Sequence, residues 1–350
     1  LTANMKAALL VDYSRIESTT LSVPNIKDDD LLVRVVSVGV CGSDVAVFKG
    51  EHPYKKPPTV LGHEMCGVVE RIGKNVTNFI PGDKVCCASY SYCGSCEYCS
   101  AKNYHICSNK KPLSHLDWHG AFAEYVLLKE NMTYKINSDV EFHVGALVEP
   151  LTIGLHAVRL AMIANPNKLV ILGAGSIGLS CLVLAKYLNV TNVLITDVGC
   201  IKANLADKFH ADGFVDALGE NFQSSIFNKL NGMADVTIIA SGHENALDEA
   251  MAVTKSGGLI VIVSYFGESL QFDMNTCVRR EMTIKGSALC TPQDFQDVIK
   301  WIEEKSIDPM SIITHFAALD DADKVIHQKI QNPESFGKIM LMLSDGQTNE

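Results

Sequence analysis

The sequence predicts an α/β protein in which a doubly wound parallel sheet is inserted into a β-rich domain. Three observations carry this. Strand-like and helix-like segments alternate from Lys168 onward, a G-x-G-x-x-G run joins the first such strand to its helix, and the first third of the chain instead holds Val-rich runs closed by glycine. A chain of 350 residues exceeds what one ordinary core organises, so two domains are expected. The β-rich domain reads as residues 1–153 with 291–350, and the inserted one as 154–290.

In the first part, "LLVRVVSVGVCG" and "EMCGVVERIG" read as strands, "FIPGDKV" as a turn into another, and "GAFAEYVLLKE" as a further strand. Near Val144 the texture changes: "VGALVEPLTIGLHAVRLAMI" spaces its apolar residues as a helix does. The alternation then runs "KLVILGAG" (strand), "SIGLSCLVLAKYLN" (helix), "NVLITD" (strand) and "CIKANLADKFHA" (helix). It continues with the strands "FVD" and "ADVTIIASG", the helix "HENALDEAMAVTK", and the strands "GGLIVIVSYFG" and "EMTIKGSAL". A helix, "PQDFQDVIKWIEEK", and a final strand, "GKIMLMLS", are expected to carry the chain back to the first domain.

Charge and composition remove several function classes. A formal net charge of -10, with no Lys/Arg block to offset it, disfavours nucleic acid and anionic membranes as partners. Twelve cysteines in 350 residues are too sparse for a secreted disulfide scaffold, and the opening "LTANMKAALLVDY" lacks the pattern of a signal peptide. Met5 is the expected natural start. A cytoplasmic chain with clustered cysteines points to metal before disulfides. The uncharged run from Leu169 to Ala185 is long enough to raise a membrane span, but its glycines fit a strand, turn and helix better.

"ILGAGSIG" places Gly173, Gly175 and Gly178 where a dinucleotide-binding turn needs them. Gly173 allows the tight turn, Gly175 the close approach of a pyrophosphate, and Gly178 the packing of helix on strand. The phosphates would meet free amides at the helix start, around Ser176, Ile177 and Gly178. Asp197 ends the next strand about twenty residues on, where a carboxylate accepts both ribose hydroxyls and repels a 2′-phosphate. NAD is therefore expected over NADP. Lys202, the nearest cation that could compete, is counted with the cofactor residues but is expected on the surface of its helix.

Cys93, Cys96, Cys99 and Cys107 have the spacing C-x2-C-x2-C-x7-C. Four thiolates close a tetrahedral zinc shell, and a closed shell has no position for substrate, so a structural role is expected. An iron–sulfur cluster and reactive thiols are the alternatives, which spacing alone leaves open. A second set is scattered: Cys41 in "VGVCGSD", His63 and Glu64 in "VLGHEMCG", and Glu149 in "LVEP". Together they could hold zinc with room for water or an alcohol. Singly, each is more simply a packed core residue.

The ordered series "MKAALL", "CGSD", "VLGHE", "PGDKV", the cysteine lobe (about 86–112), "GAFAEY", "VEPLTIGLHA", "ILGAGSIGL" and "FGKIML" resembles the zinc-dependent medium-chain dehydrogenase/reductase superfamily over essentially the whole chain. The resemblance implies a Rossmann NAD-binding domain within a GroES-like catalytic domain, with NAD and two zinc ions per chain, one catalytic and one structural. It implies that Cys41 and His63 ligate the catalytic zinc, that Glu64 is a ligand or near-ligand able to exchange with water, and that Glu149 stands where the third protein ligand is found. Asp44 would hydrogen-bond the zinc-bound His63, and Ser43 would pass the substrate proton onward. A homodimer or homotetramer, joined at an exposed edge of the nucleotide sheet near "GGLIVIVSYFG", is likewise implied.

Glu149 and "EPLTIGLHA" resemble the polyol branch: sorbitol, galactitol-phosphate and sugar-acid dehydrogenases. One departure weakens the sorbitol assignment. After "IKGS" come Ala288, Leu289 and Cys290, with no Arg to grip polyol hydroxyls. Lys49, Lys55 and Lys56 are expected to be a solvated loop rather than a phosphate pocket, His156 a packed helix residue, and His52, His115 and His119 loop residues. The reaction expected is reversible hydride transfer between NAD and a secondary alcohol of a polyol, polyol phosphate or sugar acid. The alternatives are a threonine 3-dehydrogenase-like enzyme and, from another class, a catalytically silent binding or structural protein. A zinc-free quinone reductase and a zinc-ribbon nucleic-acid binder are disfavoured by the two metal motifs and the acidic charge.

Overall fold

The structure is a computed structural model and describes residues 4–115 and 118–343. The chain forms two compact units. The first holds the residues up to Glu149, Phe295–Ser306 and those from Ile313 on; the second holds Pro150–Asp294 and Ile307–Ile312.

The first unit is mostly strand. In chain order these are β1 (Asn4–Asp12), β2 (Arg15–Ser22), β3 (Asp30–Gly39), β4 (Thr59–Val60), β5 (Glu64–Ile72), β6 (Lys84–Cys87), β7 (Tyr90–Ser91), β8 (Lys111–Pro112), β9 (Tyr125–Lys129) and β10 (Thr133–Lys135). β3 is the hub, because "DLLVRVVSVG" is almost wholly buried and so reads as a continuous apolar run rather than an alternating one. It pairs antiparallel with β5 and with β9.

The second unit is a six-stranded parallel sheet: β11 (Lys168–Leu172), β12 (Asn192–Asp197), β13 (Gly213–Asp216), β14 (Ala234–Ile239), β15 (Thr254–Ile262) and β16 (Thr283–Gly286). The spatial order is β13-β12-β11-β14-β15-β16, so the order of strands reverses beside the first one, as in the dinucleotide-binding fold. Val170, Leu172, Leu194, Ile239 and Ile260 build its core. The uncharged run from Leu169 to Ala185 is β11, a turn, and most of the helix Ser176–Tyr187. Among the described residues no helix is long and apolar enough to cross a membrane.

The chain then closes on the first unit with β17 (Ile313–Ala318) and β18 (Lys338–Met342). β18 pairs antiparallel with β3, Met340 standing opposite Gly39. The α/β architecture of the sequence reading is the one observed. It did not include the β1/β2 hairpin, β17, or the helices Phe222–Leu230, Met274–Arg279 and Ala322–Gln331. Their apolar signals are thin: β2 buries only Ile16, and Phe222–Leu230 buries only Ile226 and Leu230.

Candidate functional site

Sheet register assembles the scattered set. In the β3–β5 pair Gly39 stands opposite Glu64, and in the β3–β18 pair it stands opposite Met340. Continuing both registers two residues beyond Gly39 brings Cys41 level with Gly62 on one side and with Lys338 on the other. Three distant segments therefore deliver Cys41, His63, Glu64 and Lys338 to one end of one sheet. The ligand atoms of Cys41, His63 and Glu64 lie within 4.8 Å of one another.

Asp44, fully buried, ties these segments together. It lies in the first turn of the helix Gly42–Lys49, accepts from the Cys41 amide at 3.0 Å and from the Gly62 amide at 3.3 Å. Gly62 has φ +93°, and a Cβ there would meet the Phe122 ring at 2.4 Å, so only glycine fits this loop. Asp44 Oδ1 also lies 3.7 Å from His63 Nδ1, a buried atom without a hydrogen-bond partner. That separation is longer than a hydrogen bond. With Asp44 on the Nδ1 side, Nε2 is the nitrogen left for a metal.

Glu64, within the 4.8 Å group, is also tied to a lysine. Its two carboxylate oxygens accept from Lys338 Nζ at 2.7 and 2.5 Å, both residues being 1% exposed, and Lys338 also donates to the Val40 carbonyl. Burial alone would raise the Glu64 carboxyl, but the Lys338 ammonium outweighs it and holds the group below the usual carboxylate range. Gly39 makes room for the pair, since a Cβ there would stand 2.3 Å from Glu64 Oε2. Nothing in the sequence reading singled out Lys338; its only signal was its place in "FGKIML".

Glu149, in the first turn of the helix Val148–Met162, is buried but is not part of the 4.8 Å group. Burial, with further push from the charges of Glu64 and Cys41, raises its carboxyl to about 7, against the pull of His63 and the Ser89 hydroxyl. Cys41 is pushed up to about 11 by burial and by Glu64, with Ser43 beside it and Lys338 acting the other way. In both, burial is the first cause and the negative charge of neighbouring acidic groups adds to it. Thiolate, imidazole and carboxylate are zinc donors, so the residues fit that metal.

Lys55 departs from the expected solvated loop. Lys49 and Lys56 are exposed, Lys49 pairing with Glu51 at 2.5 Å, whereas Lys55 is only 6% exposed. Its backbone amide donates to His52 Nδ1 at 3.2 Å, which fixes the loop, and His52 and His115 pack edge-on against Tyr54. Burial, then the neighbouring Lys55 charge, holds the His52 imidazole down at about 4. His119 accepts from the Val60 amide. His156, with Arg159, binds Asp294 at the start of the helix Pro292–Glu303, a packed role as expected.

The four clustered cysteines also converge. Their sulfurs lie within 4.8 Å of one another, with separations of 3.5, 3.8 and 4.0 Å for Cys93–Cys107, Cys96–Cys107 and Cys93–Cys99. A tetrahedron of Zn–S bonds near 2.3 Å has edges of about 3.8 Å, so the spacing suits one zinc ion rather than a cluster with a separate iron for each thiolate. The Cys93 and Asn109 amides donate to Cys107 at 3.4 Å. Amides of Ser95 and Cys96 hold the Cys93 thiol down at about 5, while burial and neighbouring sulfurs push Cys99 up to about 12. The four cannot all ionise without a cation among them. No disulfide joins them.

The nucleotide turn has the shape its glycines predict. Gly173 has φ +101°, a Cβ on Gly178 would stand 1.8 Å from the Gly173 carbonyl, and a Cβ on Gly175 would meet nothing within 4 Å. The open side at Gly175, the residue before the helix Ser176–Tyr187, is where a pyrophosphate can approach the amides of Ser176, Ile177 and Gly178. Asp197 accepts from the Ala174 amide at 2.6 Å and from the Val198 amide at 2.7 Å, which fixes its carboxylate beside the glycine turn. Lys202 is not a surface residue: within the helix Cys200–Lys208 it is buried at 5% exposure.

Comparison with known proteins bears on the whole chain. The alcohol dehydrogenase GroES-like domain matches residues 27–138, and the zinc-binding dehydrogenase domain residues 176–304. The chain is 30% identical over 317 residues to sorbitol dehydrogenase of Bombyx mori, spanning 88% of this chain and 90% of that protein. It is 30% identical over 295 residues to L-galactonate-5-dehydrogenase of Escherichia coli K12, spanning 84% and 86%. A zinc-binding dehydrogenase of Sinorhizobium meliloti 1021, solved bound to NADP, superposes with a TM-score of 0.88 at 29% identity, over 98% of this chain and all of that one.

Proposed function

Because the chain belongs to the zinc-dependent medium-chain dehydrogenase/reductase superfamily, in its polyol dehydrogenase branch, we propose that it oxidises a secondary alcohol of a polyol, polyol phosphate or sugar acid, reversibly, with NAD. The observation that carries this is the convergence of Cys41, His63 and Glu64 at one sheet end, their ligand atoms within 4.8 Å of one another.

Cys41 and His63 hold the catalytic zinc, and the carboxylate of Glu64 or Glu149 completes the shell. Cys93, Cys96, Cys99 and Cys107 hold the structural one. Bound zinc supplies Lewis acidity that lowers the pKa of a hydroxyl it polarises, and NAD supplies the hydride acceptor. Asp44 orients the His63 ring through Nδ1. Ser43 Oγ accepts the substrate's hydroxyl proton and passes it toward solvent. With NAD bound, the carbon-bound hydrogen would be taken as hydride, so that alcohol and NAD would give ketone, NADH and a proton. Lys338 keeps Glu64 ionised without letting it dominate the site. Gly173, Gly175, Ser176, Ile177 and Gly178 seat the pyrophosphate, Asp197 takes the ribose, and Lys202, nearby in the next helix, supports that end of the site. Asp197 favours NAD, whereas the Sinorhizobium relative was solved with NADP.

Twelve free thiols support a reducing, cytoplasmic setting. The strand of "GGLIVIVSYFG", β15, is not the expected edge, because it pairs with both β14 and β16; the edge is β16, and exposed Met274 and Val278, close to it in sequence, support a homo-oligomer paired there. The test is NAD reduction by zinc-loaded protein across polyols, polyol phosphates, sugar acids and threonine. Turnover of one polyol class is expected. Absence of turnover on every secondary alcohol would overturn the reading, and threonine alone would move the chain to the amino-acid branch.

A further inference from the structure

Among the described residues, the buried Lys55 ammonium makes no direct ion pair. It is 6% exposed, and among the described residues no carboxylate lies within the 4.0 Å of an ion pair and no acceptor takes a hydrogen bond from its Nζ. Buried ammonium groups ordinarily have such a partner, because desolvation is otherwise uncompensated. The other deeply buried lysine of this unit, Lys338, shows the usual solution with two bonds to Glu64.

Its position says where the partner comes from. The acidic groups that act on Lys55 through space are Asp44, Cys41 and Glu149, which are those of the zinc site. The loop that carries Lys55 joins the helix Gly42–Lys49, which holds Asp44, to β4, which leads into His63, so Lys55 lies on the zinc-site side of this unit. Binding a divalent cation at that site cancels much of the attraction these groups exert, which leaves the ammonium still less compensated. The loop is also built to hold it there. His52 Nδ1 accepts the Lys55 amide at 3.2 Å, and the His52, Tyr54 and His115 rings interlock beside it.

We propose that Lys55 is the anion anchor of the substrate pocket, and that the substrate carries a carboxylate or phosphate that pairs with its ammonium. This rests on the alcohol-oxidising reading of the site and narrows it from polyols in general to aldonates or alditol phosphates. A neutral polyol would offer Lys55 hydrogen bonds but leave its charge unpaired. One residue, Lys55, rather than the exposed Lys49 and Lys56, then sets the specificity.

The test uses zinc-loaded protein with NADH present, so that binding of an alcohol is read calorimetrically without turnover. Wild type, Lys55→Met and Lys55→Arg are titrated with gluconate and galactonate, with sorbitol 6-phosphate and galactitol 1-phosphate, and with sorbitol and galactitol. The anion series that wild type binds more tightly identifies carboxylate or phosphate. Lys55→Met should weaken that series at least tenfold, and severalfold more than it weakens the neutral polyols, which lose only a hydrogen bond, and Lys55→Arg should stay within about threefold of wild type. Equal affinities in wild type and Lys55→Met, equal losses for neutral and anionic ligands, or no anion binding by wild type would each overturn the proposal. Lys55-dependent anion binding without NADH formation from any alcohol would uphold the anchor and refute the dehydrogenase reading instead.

Discussion

Glu149 gives the metal-free protein a pH dependence that can be worked from the structure. Its carboxyl is raised from 4.5 to about 7 by burial first, then by the charges of Glu64 and Cys41. A raised carboxyl binds its proton more tightly in the folded than in the unfolded chain. The contribution to stability is therefore complete below the unfolded value and is lost as pH climbs to the folded one. At about 1.4 kcal/mol per unit the full loss is about 3 kcal/mol, most of it between pH 5 and pH 8. Glu149→Gln removes the titration while keeping the shape. In urea unfolding of metal-free protein, Glu149→Gln should be more stable than wild type by about 3 kcal/mol at pH 8 and by less than about 1 kcal/mol at pH 5. If Glu149 completes the proposed zinc shell, zinc should reverse the order, because the ion favours the ionised carboxylate and its replacement would weaken metal binding. An equal difference at both pH values would refute the account of Glu149 as an acid held neutral by burial and by the charges of Glu64 and Cys41.

Two further outcomes are expected. Lys338→Met leaves Glu64 buried and unpaired and should cost about 3–5 kcal/mol in urea unfolding, with more than half recovered in the Glu64→Gln/Lys338→Met double variant; no recovery would mean the two residues are not coupled. Asp197→Ser removes the carboxylate fixed by the Ala174 and Val198 amides. The ratio of kcat/KM for NADP to that for NAD should then rise at least tenfold, and native protein that already prefers NADP would sink the reading of Asp197.

Local features were legible because their chemistry is written in consecutive residues. The glycine turn from Gly173 to Gly178 needs only a strand, three glycines and a helix start. The four cysteines fall within sixteen positions, so the loop alone can bring them together. Distant pairings were not legible in this way. Lys338 and Glu64 are 274 residues apart and meet because β3 pairs on one side with β5 and on the other with β18. No local pattern in "FGKIML" marks its lysine as an ion-pair partner rather than a strand end. Lys55 and Lys56 are adjacent, one buried and one exposed, in a loop without the periodicity that assigns faces. Lys202 misled for a related reason: a cation near a helix start reads as solvated unless its tertiary cover is known. Which carboxylate joins Cys41 and His63 is decided by tertiary structure: Glu64 enters the 4.8 Å group while Glu149 stays outside it as a raised acid.

The central claim is that chemistry belongs to the sparse site of Cys41, His63 and the buried carboxylates, and that the dense cysteine lobe only shapes the fold. The most direct measurement is zinc content and NAD reduction of Cys41→Ser on the best alcohol substrate, beside wild type. Zinc should fall from roughly two ions per chain to roughly one, with turnover abolished and the melting temperature little changed. Turnover that survives in Cys41→Ser at one zinc per chain would contradict the account and move the chemistry elsewhere.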